Sequence, residues 1–305
     1  MRSHGDGEGW LRVLPRGKHA AAQMLSGCTQ AALGGCSFLA SLTMSQALQG
    51  AVLRVSSASP FGFPTMLGFA TVSAASVVAV RVADITAAAM AQGGSGPGLS
   101  MAAVSPSAAW MLPADRRDAE GQAGVAALGV LLYRCLGGRF NCIAPSVLHQ
   151  PGSFSQRWAS LDASPTYATG KERMLMQVLG EKLGCHSCGN ARAPKYIADH
   201  MPPVKTVKVA NRRLWRKLLR QPVSQRFYPQ CEACSSLQSS AVREGKRVLR
   251  YHVGALRAHH ATGALLVAAV LLLGAKRGGA AQRSRPRDRL FLKDYFEEED
   301  DSDWP

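Results

Sequence analysis

Charge is missing where a soluble protein needs it. From Ala20 to Leu53 there is no charged residue, and after Arg54 the stretch Val55–Val80 is again uncharged. A helix on a soluble surface carries charged or polar residues on its outer face. A run this long therefore argues against an ordinary solvated surface. Strong hydrophobicity is missing too: Ala, Gly, Ser and Thr make up much of both stretches, so each turn gains little from lipid. Membrane helices and a buried Ala-rich hairpin both remain open. Gly27, Ala31 and Gly35 recur at every fourth position, a spacing that lets two membrane helices approach closely. "SPFGFP" (Ser59–Pro64) marks a break between two such helices.

Acidic residues are scarce. The chain of 305 residues holds 36 Lys and Arg against 20 Asp and Glu, a formal charge of +16. Residues 151–257 concentrate the imbalance, with 19 basic residues and 6 acidic ones. That region is where an anionic partner belongs: nucleic acid, phosphate or an acidic lipid surface. The opposite holds for "FLKDYFEEEDDSDWP" at the end, whose composition is that of a solvating tail. The first eighteen residues hold Arg2, Arg12, Arg16 and Lys18 beside Asp6 and Glu8. Those acids fit a mitochondrial presequence poorly, and the segment has no clear secretory cleavage pattern.

Cysteine is too sparse, at eight residues, for a small secreted domain knitted by disulfides. Four of the eight form two Cys-x-x-Cys pairs, Cys185/Cys188 and Cys231/Cys234. Two such pairs can supply the four thiolates of a tetrahedral structural Zn²⁺ site, which suits a reducing compartment.

Five segments follow. They are a basic N-terminal segment (1–18), an Ala/Gly-rich region with about three candidate membrane helices (19–138), a basic zinc region (139–257), a candidate membrane helix (258–277) and a tail with an acidic end (278–305). The third apolar stretch, Gly121–Tyr133, ends at Arg134, and the fourth, Ala261–Ala275, ends at Lys276-Arg277. The fourth would extend roughly 23 Å as a helix, short of a hydrocarbon core of about 30 Å. No proline lies between Cys234 and Arg277, so one helix could run from the second cysteine pair into this stretch, with Gly245, Gly254 and Gly263 as weak points.

Between the pairs, "KYIADHMPP" reads as a strand closed by Pro202-Pro203, with Asp199 and His200 on opposite faces. The two pairs and "ADHMPP" resemble the zinc-ribboned HNH endonuclease family over about Gly184–Gln238. The resemblance implies a small treble-clef (ββα) zinc domain, making the chain mainly α with several membrane helices beside it. It also implies His200 as a general base and Asp199 as a ligand for a catalytic divalent ion such as Mg²⁺ or Mn²⁺. The family carries His or Asn directly after the last cysteine; Ser235 stands here. Its middle Asn has no clear counterpart, since Asn211 lies in a helical context. The expectation is a retained zinc scaffold without nuclease activity.

"VKVANRRLWRKLLRQ" (Val207–Gln221) reads as one basic amphipathic helix. Arg212, Arg213, Arg216, Lys217 and Arg220 would meet anionic headgroups, with Trp215 at the interface, or nucleic-acid phosphates. The expected role is binding or scaffolding at an intracellular membrane crossed several times. A membrane-tethered nuclease and a soluble nucleic-acid-binding zinc protein are the alternatives.

Overall fold

In the computed structural model the described residues are 16–92 and 116–283, less 165, 221, 253 and 254. The N-terminal fifteen residues, the Gly/Ser/Pro-rich segment 93–115 and the acidic tail lie outside them. The described chain is mainly helical, with two small sheets.

Two long helices come first: α1 (Arg16–Ala51) and α2 (Phe63–Gln92). The expected break falls between them, and Gly62 helps make it by adopting positive φ (69°). The third apolar stretch lies in α3 (Arg116–Cys135), and the fourth in α8 (Thr262–Arg283). These four helices pack into a bundle in which α1 touches α2 and α8, and α2 also touches α3 and α8. Its core joins Phe38 and Leu42 of α1, Val72, Ala75 and Ala79 of α2, and Tyr133 of α3 to Ile143. On α2 these positions repeat at helical spacing, so one stripe is buried.

The small-residue spacing of α1 faces α8. A Cβ on Gly35 would lie 3.1 Å from that of Ala264, and one on Gly34 would strike Val267 Cγ2 at 2.5 Å. From the α8 side, a Cβ on Gly263 would strike Phe38. Close backbone approach is therefore built into this pair of helices.

The bundle covers only part of its own surface. Met24, Leu33, Met44, Leu48, Met66 and Phe69 are exposed on α1 and α2. Gln23–Ala51 and Phe63–Met90 are long and apolar enough to cross a membrane, and Ala258–Leu273 forms a shorter apolar helical segment.

Everything between α3 and α8 gathers at one end of the bundle, over the α1–α2 loop. Ser57 N donates to Pro145 O (3.0 Å), and Arg247 Nη2 donates to Arg54 O (3.1 Å). There β1 (Ser146–Val147) pairs antiparallel with β5 (Leu249–Arg250). A second antiparallel sheet has the order β2 (Leu161–Asp162), β4 (Arg226–Cys231), β3 (Tyr196–Met201). α4 (Gly170–Leu183) opens with a capping box between Thr169 and Glu172, the latter's carboxyl held below its ordinary range by the Thr169 backbone N–H. α7 (Glu232–Glu244) follows β4 directly.

Two continuous helices expected from the sequence do not form. α7 ends where Gly245 takes the left-handed cap (φ 67°), and β5 and a 3₁₀ turn (Ala258–Ala261) precede α8. Glycine populates that conformation without a Cβ clash, so the chain turns back to pair β5 with β1. The basic segment also splits, into α5 (Val204–Asn211) and the single turn α6 (Leu214–Leu218), because Arg213 is extended (ψ 129°).

Candidate metal centre

The first cysteine pair sits on a tight turn immediately after α4. Gly184 leaves the helix at φ 85°, Gly189 N donates to Cys185 O (2.8 Å), and Cys185 N donates to Asn190 O (2.9 Å). Gly189 also has positive φ (75°), and a Cβ there would meet the Phe154 ring at 2.7 Å. The second pair comes from a different device. Cys231 closes β4 and occupies the N-cap of α7, which places Cys234 in the first helical turn.

Tyr196 holds the turn against the hairpin. Its hydroxyl donates to Asn190 O (2.8 Å) and accepts from Ala193 N (3.2 Å). Its ring covers Gly180, where a side chain would clash.

All four sulfurs lie within 4.8 Å of one another and are buried; Cys188 Sγ is 3.7 Å from Cys231 Sγ. Zn–S bonds of about 2.3 Å in a tetrahedron give sulfur separations of about 3.8 Å, so this donor set is compatible with a zinc ion. The contiguous buried cluster around it consists of these four cysteines with Leu148 and Tyr196. The hydrogen bond from Cys185 holds Cys188 and Cys231 below the ordinary thiol range, Cys231 down to about 7. Cys185 is pushed up, foremost by its bond with Cys188, and Cys234 foremost by its bond with Cys185.

β3 carries Asp199 and His200 on opposite faces, as alternation requires. His200 packs edge-on against Phe227 (4.5 Å between ring centres), and its Nε2 lies 3.2 Å from the carbonyls of Ser164 and Thr166. Asp199 turns instead towards α7. Both its carboxylate oxygens accept from Gln238 Nε2 at 2.9 Å, and Oδ2 lies 3.8 Å from His186 Nε2. Gln238 Oε1 in turn accepts from Gln230 Nε2 (2.7 Å), which also reaches Ser187 Oγ (3.2 Å).

This network of His186, Ser187, Asp199, Gln230 and Gln238 is absent from the expectations drawn from sequence. A signal for part of it was present: Gln238 follows Cys234 by four residues, so the two share a helix face. His186 and Ser187 lie inside the first Cys-x-x-Cys, a place reserved by habit for spacers. Asn211, weighed as a site residue, instead closes a loop by accepting from Val223 N (2.9 Å). Ser235 is half-buried in the first turn of α7. Arg212, Arg213, Arg216, Lys217 and Arg220 stand together on the loop that Asn211 closes.

No protein-family model, curated protein or solved structure matches this chain.

Proposed function

We propose that the chain is a membrane-embedded helical bundle with a zinc-stapled, HNH-like treble-clef region that binds or scaffolds at an intracellular membrane without catalysis. The apolar outer faces of α1 and α2 carry the membrane half of this reading. Buried core helices of soluble proteins are also apolar, but only 22% and 33% of the two apolar windows are buried inside the bundle. On α2 the first charge after Phe63 is Arg81, about 27 Å along the helix, close to the hydrocarbon thickness. Alkaline carbonate extraction tests this half: the chain stays with the membranes, and release into the supernatant would sink it.

The non-catalytic half rests on Asp199. Its carboxylate is occupied by Gln238, and Ser235 offers only a hydroxyl where the family places His or Asn. A hard divalent cation needs more anionic oxygen than this. The order of turn, strand, strand and helix around the four sulfurs supports the treble-clef reading, and the thiolate set supports zinc over a harder ion.

One observation favours the nuclease alternative. With two carbonyls at Nε2, the His200 proton belongs there, leaving Nδ1 with the lone pair that a general base uses. Full-length protein with Mg²⁺ or Mn²⁺ and supercoiled plasmid decides between them. Intact plasmid is expected; cleavage that His200→Ala abolishes would establish the nuclease instead.

A further inference from the structure

We infer that the loop between Asn211 and Val223 is a contact surface for anionic lipid headgroups, with its leucines and Trp215 in the outer acyl region. This deepens the membrane reading given above, and the experiment below separates the two.

The loop is a closed excursion. Val223 N donates to Asn211 Oδ1 at its base, and α6 forms a single turn at its tip. Along it Leu214 is 76% exposed, Leu218 81% and Leu219 61%, and Trp215 is exposed as well. Arg212, Arg213, Lys217 and Arg220 are exposed among them. The Arg216 guanidinium lies over the Trp215 ring, 4.4 Å from its centre.

Two kinds of exposed side chain must be accounted for together. Phosphates of a nucleic acid would satisfy the cations and leave three leucines in water. An anionic bilayer satisfies both, since cations meet headgroups while apolar side chains sit below them. Trp215 has the character of an interfacial anchor, an apolar ring with a polar N–H. A protein partner would need a matching acidic groove, whereas the lipid surface needs only negative charge. The loop lies in the basic segment 151–257, and the strand that follows returns it to the sheet at Arg226.

The test uses the full chain with Trp10, Trp110, Trp158 and Trp304 changed to Phe, leaving Trp215 as the sole tryptophan. It is reconstituted into vesicles of phosphatidylcholine alone, or of phosphatidylcholine and phosphatidylserine at two to one, each with brominated acyl chains. Trp215 emission is expected to be quenched in the phosphatidylserine vesicles, to recover with salt, and to be quenched much less in phosphatidylcholine. Removing charge with Arg212→Gln, Arg213→Gln, Lys217→Gln and Arg220→Gln weakens the contact by about fivefold per charge, so quenching is lost. Bound zinc, measured alongside, reports folding. If the fourfold variant loses zinc, Leu218→Asn and the salt titration decide instead, and both are expected to reduce quenching.

Equal quenching in the two vesicle types, or none in either, would overturn the inference. So would a DNA duplex that binds with those four charges while quenching ignores them. A chain retained by carbonate with Trp215 unquenched removes this inference alone. A chain released by carbonate that still floats with phosphatidylserine vesicles, and loses flotation in the fourfold variant, upholds it while removing the embedded bundle.

Discussion

Arg257 donates through Nη2 to the carbonyl of Gly189, the glycine that closes the first cysteine turn. The same nitrogen donates to Leu183 O (2.9 Å), and the guanidinium lies 4.6 Å from the centre of the Phe154 ring. Arg257 also stands directly before the 3₁₀ turn that starts α8. One side chain thus ties the first cysteine turn to the end of the bundle.

Arg257→Ala is expected to lower stability by about 2 kcal/mol, the usual size for hydrogen bonds from a charged donor, and to speed metal release to a chelator. Arg257→Lys keeps the charge but loses the planar fork, so it recovers only part of the loss. Thermal melting and the rate of zinc transfer to a chromogenic chelator measure both. Metal release unchanged in both variants would show that the strut does not reach the cysteines.

Cys188→Ser removes one of four thiolates from a core that has few other members. Wild-type chain is expected to hold one zinc and to lose secondary structure in the metal-binding region on chelation. The variant loses both the metal and that order. Cys28→Ser, at an exposed position on α1, leaves both unchanged. Elemental analysis and circular dichroism read the result. A disulfide in place of the metal would appear as two missing thiols in a denaturing titration.

Legibility in the sequence followed the range of the interactions. The clustering of the four cysteines was readable because two Cys-x-x-Cys turns of fixed length can bring four sulfurs together. The strand carrying Asp199 and His200 was readable from its β-branched and aromatic start and its closing prolines. The opposed faces of Asp199 and His200 follow from the pleat. What failed depends on distant partners. Absence of proline between Cys234 and Arg277 permitted one long helix, but Gly245 ends it because β5 finds β1 about a hundred residues back in the chain. The run Val207–Gln221 has helical composition throughout, yet Asn211 spends its side chain on Val223 and the chain turns. Glutamines and histidines such as Gln238 and His186 have no distinctive spacing, so their network emerges only once α7 lies across the hairpin.

Two helical glycines respond to alanine with opposite signs, one in the α1–α8 contact and one facing open space. At Gly34 a methyl would lie 2.5 Å from Val267 Cγ2 and 3.1 Å from Ala79 O, between two helices. Gly34→Ala is expected to destabilise by about 1–3 kcal/mol despite alanine's better helix propensity, and Val267→Ala partly rescues it. At Gly124 of α3 nothing lies within 4 Å, so Gly124→Ala gains up to about 1 kcal/mol. Melting in mild detergent checks both. Stabilisation by Gly34→Ala would mean that α1 and α8 are further apart than described.

His252 sets an acid limit on the joint between bundle and metal region. Its backbone N–H donates to Gln46 Oε1 (3.1 Å), and Nε2 donates to Ala144 O (3.0 Å). Gln46 Nε2 lies against the ring, 3.1 Å from Nδ1 and 3.0 Å from Nε2. Burial foremost pushes the imidazole down from its ordinary 6.5 to about 4. The unfolded chain therefore takes a proton near pH 6.5 while the folded chain refuses it until about pH 4. Stability contributed by this site is complete above pH 6.5 and is lost as pH falls from there to 4. The loss is on the order of 3 kcal/mol. Below pH 4 both states carry the proton and the slope vanishes. Denaturant unfolding followed across that range is expected to show the decline, and His252→Gln to make it shallower at the cost of a lower plateau near neutrality. A decline of equal size in His252→Gln would assign the acid sensitivity to other groups, such as His149, which burial also pushes down.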